Sequence, residues 1–257
     1  MRLRSLALPP EGGGWGLLLE PILIGLIAAP SRTGVLLAAM VAAAFLARQP
    51  LKIVMAELAA RRRVPPTTPA AWFAAACVAA GIGAGAWAVA RAGPAVVMPF
   101  AWAAPLALVP VAYDARNRSG EMLPELCGAA ALASSAAAIA IAEGYHVRFA
   151  MALWAVAAAR TLPAIVTVRT RVLKLHGGAA SSTPPLVAHA SAMGLIFWLQ
   201  TQGLVARGVL TLLSVLAARA GFTLRASAPR VRAHRIGIEE LIAGLLAASL
   251  LGALGRR

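Results

Sequence analysis

The chain has 257 residues, of which 60% are hydrophobic and 13% are charged, and its formal net charge is +15. A soluble domain is nearer half apolar and a quarter charged. Apolar runs of about 18–20 residues recur along the whole length, and a bilayer core needs about 20 helical residues to cross. The composition therefore excludes an ordinary soluble domain. Membrane barrel strands are excluded as well, because no alternation of apolar and polar residues appears over stretches of about 10 residues.

Short polar breaks divide the apolar runs into about nine predicted transmembrane helices. The predicted fold is therefore an all-α, polytopic transmembrane helix bundle that forms a single domain over residues 1–257. An extension of the second helix to Glu57 stays open. In chain order the predicted helices are Trp15–Ala29, Thr33–Arg48, Ala70–Ala90, Pro94–Tyr113, Leu123–Ala142, Phe149–Val168, Pro184–Gln202, Leu204–Phe222 and Ile238–Leu254. Proline and glycine stand in the breaks, where helices begin or end.

Lysine and arginine alternate between two sets of breaks. The set that contains the amino-terminal segment has 17 of these residues, and the other has six. The richer set should face the cytoplasm. We therefore predict a multi-pass protein of the inner (cytoplasmic) membrane, with a cytoplasmic amino terminus and an external carboxyl terminus. The expected partner of the basic breaks is the lipid bilayer with its anionic lipids, and nucleic acid is not an expected partner.

Arg160 lies inside a predicted membrane helix, about eight residues from its cytoplasmic end and so roughly 12 Å deep. It shares one helix face with Arg171 and Lys174, which makes that face a basic stripe. Ionisable groups at such depth are costly, and they are generally functional or paired. Two interpretations stay open. Arg160 pairs with Glu20 or Glu125 as a contact between helices, or it belongs to an anion-binding site.

The functional hypothesis is a cytoplasm-facing cavity for an anionic or phosphorylated lipid-like ligand, because arginine forks suit phosphate and carboxylate groups. The predicted ligand-binding residues are Arg48, Lys52, Arg160, Arg171, Asp114 and Glu125. The supporting candidates are Glu11, Trp15, Glu20, Glu121, Arg169 and Lys174. No metal-ligand spacing, phosphate loop or catalytic triad appears, so the sequence predicts no metal and no cofactor and assigns no catalytic residue. A transporter or flippase for an organic anion and a non-catalytic membrane assembly protein remain alternatives.

The opening segment, residues 8–16, resembles the start of YwiC-like membrane proteins. That family opens with Pro, a basic residue, Glu or Gln, and then His-Gly-Ala-Trp. Here Glu11, Gly13 and Trp15 match, and Gly12 stands where His is expected. Three further segments strengthen the likeness, namely residues 47–52, residues 113–125, and residues 160–163 with Arg169 and Arg171. The resemblance covers most of the chain and implies a multi-pass membrane protein of a family without an established function.

The nine-helix plan with a cytoplasmic amino terminus also resembles the intramembrane prenyltransferases of the UbiA type. Those enzymes carry two Asp-rich motifs at the inner ends of helices 2 and 6, where magnesium bridges a diphosphate. This chain has a single aspartate, Asp114, which follows helix 4. The corresponding positions carry cations, namely Arg48, Lys52, Arg169, Arg171 and Lys174. The resemblance thus concerns the arrangement of helices, and it argues against a magnesium–diphosphate mechanism, since magnesium prefers carboxylates.

Overall fold

A computed structural model describes residues 14–59, 67–116, 118, 120–177, 179–225 and 233–256, and the side chains of all of these except 56–59, 67–68 and 233–234. Within these ranges the chain forms nine α-helices and one short 3-10 helix, Pro94–Val97, with no strand. The α-helices are α1 (Gly14–Ala28), α2 (Arg32–Ala59), α3 (Thr67–Ala92), α4 (Met98–Asp114), α5 (Met122–Ala142), α6 (Val147–Leu175), α7 (Thr183–Thr201), α8 (Arg207–Thr223) and α9 (Ala233–Leu254). Each predicted helix corresponds to one of them, which confirms the all-α prediction.

Two helices continue well beyond their predicted apolar segments. α2 passes through Pro50 and ends at Ala59, and α6 passes through Pro163 and ends at Leu175. Hydropathy marks the boundary of the hydrocarbon, whereas arginine and lysine are good helix formers and let a helix continue past that boundary. At 1.5 Å per residue the 29 residues of α6 measure about 43 Å, which exceeds a hydrocarbon core of about 30 Å.

α5 and α6 form the centre of the bundle. α6 contacts α1, α5, α7, α8 and α9, whereas α3 packs mainly against α2 at the periphery. The segment Ala133–Ile141 of α5 is buried throughout and consists mostly of alanine. Small side chains let helix backbones approach closely in a membrane. The indole Nε1 of Trp154 in α6 accordingly donates a 2.8 Å hydrogen bond to the carbonyl oxygen of Ala130 in α5.

The outer surface of the bundle is strongly apolar. Trp72 of α3 is 74% exposed and Leu108 of α4 is 65% exposed, and many other large apolar side chains are similarly uncovered. A soluble monomer rarely shows so much contiguous apolar surface, whereas lipid tails would cover it. Among the described residues, six segments are long and apolar enough to cross a membrane: α2, α3, the 3-10 helix with α4, α5, α6 and α9. The crossing of all nine helices stays a prediction, because α1, α7 and α8 do not meet that criterion.

Among the described residues, the ion pairs between helices lie at one end of the bundle or buried in the half next to it, and we call this end the charged end. It contains the carboxyl ends of α2, α4, α6 and α8 and the amino ends of α1, α5 and α9. The Lys174 Nζ of α6, for example, donates to the carbonyl oxygen of Leu224, just after α8. At the opposite end, Arg256 Nε donates to the carbonyl oxygen of Ile27. The described helix ends are therefore grouped as the lysine and arginine count predicts, and the side that faces the cytoplasm stays a prediction.

Candidate functional site

The first cluster of predicted site residues joins α2 to α4, and we call it the Arg48 group. Arg48 Nη2 and Nε each lie 3.0 Å from Asp114 Oδ2, and Lys52 Nζ lies 3.5 Å from Asp114 Oδ1. The two cations are one turn apart on α2, so both reach the same carboxylate. The Asp114 side chain is 12% exposed, whereas that of Arg48 is 50% exposed. The Arg48 guanidinium therefore lies at the surface of the charged end, oriented by a carboxylate that is itself largely buried.

The second cluster lies inside the bundle, and we call it the Arg160 group. Arg160 Nε lies 3.2 Å from Glu20 Oε2 of α1, and Arg160 Nη2 lies 3.7 Å from Glu240 Oε1 of α9. Glu240 Oε2 also lies 2.8 Å from Nη1 of Arg219 in α8. The side chains of Arg160 and Glu20 are 3% and 5% exposed. The prediction that Arg160 is buried beside a carboxylate is therefore confirmed, with Glu20 as its closest acid.

A glycine of α9 makes room for the buried pair. A methyl group placed on Gly244 would overlap Oε1 of Glu20 and would lie 2.8 Å from Nη2 of Arg160. The backbone of α9 therefore packs directly against both side chains and helps to seal them from lipid. Any larger residue at this position would displace one member of the pair.

A cavity of about 80 Å³ adjoins the Arg160 group between α1, α5, α6 and α9. Its lining includes Glu20, Arg160 and Glu240, and also Glu125 of α5. The Nε and Nη2 atoms of Arg160 are buried, and within the described part of the chain neither donates an aligned hydrogen bond. Buried donors are normally satisfied. These two nitrogens could accept an additional partner from the cavity.

The remaining candidates form separate contacts at the charged end. Arg169 Nε donates a 2.7 Å hydrogen bond to Glu125 Oε2, and Arg171 Nη2 lies 3.7 Å from Glu239 Oε2. Lys174 Nζ donates to the hydroxyl of Ser182 at 2.7 Å. These contacts link the end of α6 to the beginnings of α5 and α9 and to the segment before α7.

Three supporting candidates lie apart from both clusters or outside the described residues. Glu121 accepts hydrogen bonds from Arg118, and this bonding raises the pKa of the exposed Arg118 guanidinium above its ordinary value. Trp15 packs against Phe45 of α2, with ring centroids 6.0 Å apart. Glu11 lies outside the described residues.

The six predicted ligand-binding residues thus fall into two main clusters and one separate pair. Arg48, Lys52 and Asp114 meet at the surface, whereas Arg160 and Glu125 line the inner cavity. Arg171 binds Glu239 instead. The two clusters lie on different helices, the Arg48 group on α2 and α4 and the Arg160 group on α1, α6, α8 and α9. α5 contacts both α2 and α6.

Sequence analysis missed the roles of Glu240, Arg219 and Gly244. The predicted start of the last helix at Ile238 would place Glu240 in its first turn, where acids favour the helix dipole. The helix begins at Ala233 instead, so Glu240 lies in its third turn. The spacing of Glu240 and Gly244, at i and i+4, places both on one face and could have indicated a buried acid beside a close helix contact.

The helices, the apolar outer surface and the buried ion pairs define an all-α, multi-pass membrane protein. The family model for the YwiC-like protein matches residues 8–142, just over half of the chain, in a range that ends with α5. The chain belongs to the YwiC-like family. No curated protein and no solved structure matches it. The resemblance to UbiA-type prenyltransferases therefore stays a prediction about the arrangement of helices.

Proposed function

We propose that this protein binds an anionic lipid headgroup at its charged end, with the Arg48 group as the binding site. The observation that carries the proposal is a half-exposed guanidinium that a largely buried carboxylate holds in one orientation. Asp114 Oδ2 lies 3.0 Å from both Nε and Nη2 of Arg48, whose side chain is 50% exposed. A headgroup phosphate could bind the exposed side of this guanidinium, because the planar fork of arginine suits its oxygens.

The surroundings of the Arg48 group suit a lipid better than a free ion. Val111 and Leu108 of α4 lie one and two turns further into the membrane from Asp114, and both are exposed. A headgroup bound by Arg48 would let its acyl or prenyl chain lie along this apolar face. The proposal places that lipid in the cytoplasmic leaflet, because the charged end contains the richer set of basic breaks.

Binding of a soluble short-chain lipid tests the proposal directly. The full chain in neutral detergent would be titrated with dioctanoyl phosphatidic acid and, separately, with dioctanoyl phosphatidylcholine. We expect tighter binding of phosphatidic acid and an approximately tenfold loss in Arg48→Gln, because one charge-assisted hydrogen bond contributes about 1.5–3 kcal/mol.

Arg116→Gln is the matched control. It removes the same charge two residues after Asp114, but the described hydrogen bond of the Arg116 side chain goes to the carbonyl oxygen of Ala112 in the last turn of α4. Equal losses in Arg48→Gln and Arg116→Gln would mean that the basic residues act through general charge, and the proposed site would be wrong. Equal affinity for the two lipids would also contradict it.

A further inference from the structure

We propose that the cavity beside the Arg160 group binds one proton and one small anion together, the proton on Glu20 and the anion on Arg160. This site is separate from the proposed headgroup site, and it does not depend on lipid binding there. A small anion here means chloride or a short carboxylate such as formate.

The two carboxylates that face Arg160 are not equivalent. Glu240 is shared, and its contact with Arg219, at 2.8 Å, is closer than its contact with Arg160, at 3.7 Å. Among the described residues, the closest charged partner of Glu20 is Arg160, at 3.2 Å, and Glu20 also contacts the hydroxyl of Thr161, at 3.5 Å. Glu20 is therefore the principal counter-ion of Arg160. Protonation of Glu20 would leave the Arg160 charge largely uncompensated in the bundle interior.

Among the described residues, most other ionisable groups around Glu20 have an oppositely charged partner. Arg219 of α8 pairs with Glu240, and Arg169 of α6 pairs with Glu125 on the far wall of the cavity. Arg171 pairs with Glu239, and Arg48 and Lys52 of α2 contact Asp114. His189 of α7 contacts the hydroxyl of Thr167 and interacts electrostatically with Glu240 and Arg160. Glu20 is therefore the carboxylate whose protonation changes the charge directly beside Arg160.

The cavity has both space and unsatisfied donors for an anion. Its volume of about 80 Å³ suits an occupant of one to a few heavy atoms, since one water occupies about 30 Å³ in the liquid. Arg160 Nε and Nη2 are buried without an aligned acceptor among the described residues. An anion in the cavity could accept from these nitrogens and would provide the hydrogen bonds that Glu20 and Glu240 do not align to make.

The proton and the anion should bind cooperatively. While Glu20 is ionised, it offsets the charge of Arg160 and repels an entering anion at low dielectric, which disfavours binding of the anion. A proton on Glu20 removes this negative charge and frees Arg160 for the anion. By linkage, each ligand then increases the affinity for the other by the same factor.

Chloride titrations of the full chain in neutral detergent test this coupling, with a pH-sensitive dye in weakly buffered solution. We expect the wild-type protein to take up close to one proton when chloride binds. The affinity for chloride should fall at least about tenfold between about pH 5 and about pH 8, where an ionised Glu20 disfavours the anion.

Two variants and one control separate the contributions. Glu20→Gln imitates the protonated acid, so it should bind chloride at both pH values without proton uptake. Arg160→Gln should lose chloride binding. Glu143→Gln, which changes an exposed acid at the opposite end of the bundle, should behave as the wild type.

The proposal is overturned if wild-type chloride affinity is the same at both pH values, or if chloride binds without proton uptake. Chloride binding that persists in Arg160→Gln would also overturn it. The wild-type titrations decide the question even where a variant fails to fold. Loss of phosphatidic acid binding in Arg48→Gln would leave these results unchanged, so the two proposals fail independently.

Discussion

Arg160 is almost fully buried, and acids from two other helices, Glu20 and Glu240, lie beside its guanidinium. Removing one member of a buried ion pair leaves an isolated charge in a medium that solvates it poorly, and this costs more than removing both members. The pair therefore fixes the position of α6 relative to α1 as well as lining the cavity.

We expect Arg160→Gln to lower the free energy of unfolding by about 3–5 kcal/mol, because Glu20 is left without its closest cation. Adding Glu20→Gln should recover part of this loss, since neither side chain is then charged. Thermal unfolding in detergent measures both variants. The exposed pair of Arg118 and Glu121 provides the control, and Arg118→Gln should change the melting temperature little. A double variant less stable than Arg160→Gln would show that the two charges do not stabilise each other.

Among the helices, α9 packs closely against α1 through glycines on one of its faces. A methyl group on Gly252 would lie 2.7 Å from Cβ of Ile27, and one on Gly244 would displace Glu20 or Arg160. Gly244 and Gly252 are eight residues apart and so lie close to one line along the helix. Because α9 also supplies Glu240, its close approach to α1 places this acid beside Arg160.

Gly244→Ala tests this contact. We expect it to lower the free energy of unfolding by about 1–3 kcal/mol, because the added methyl group overpacks a filled site. Gly237→Ala in the same helix is the matched control, since a methyl group there would meet nothing within 4 Å. The control should be neutral or slightly stabilising, because alanine favours a helix by up to about 1 kcal/mol over glycine. Equal melting temperatures for the two variants would contradict the packing argument.

In the molecule as a whole, successive helices run in opposite directions between the charged end and the opposite end. Among the described residues, three helices do not meet the combined length and hydropathy criterion for crossing a membrane. They are α1, α7 and α8, with 15, 19 and 17 residues. α1 measures about 22 Å, which is shorter than the hydrocarbon core. It packs against α5, α6 and α9, so neighbouring helices cover much of its polar backbone and its glutamate.

Reporter fusions test whether α7 and α8 cross the membrane. Fusions after Gly177 and after Arg225 should report the cytoplasm, and fusions after Gly203 and after Arg257 should report the outside. The reason is that the contacts place the first two positions at the charged end, and α9 then returns to the other end. A Gly203 fusion that reports the same side as the Gly177 fusion would show that α7 does not cross the membrane. The predicted external carboxyl terminus would then no longer follow from nine crossings.

The helices and their grouping at two ends follow from the sequence. Water is absent from hydrocarbon, so an apolar run of sufficient length must pair its backbone groups within one helix, whatever its neighbours are. The same solvent argument predicted that Arg160 is either paired with an acid or part of an anion-binding site. These conclusions depend on the chain and the bilayer alone.

The contacts between particular residues could not be read from the sequence and are given by the three-dimensional structure. The sequence left Glu20 and Glu125 as alternative partners of Arg160, and the structure pairs Arg160 with Glu20 and Glu240, while Glu125 binds Arg169. It also separated the Arg48 group from the Arg160 cavity. The order of helices around the bundle determines these contacts, and hydropathy does not record that order, because a helix surrounded by lipid and other apolar helices is apolar on every side.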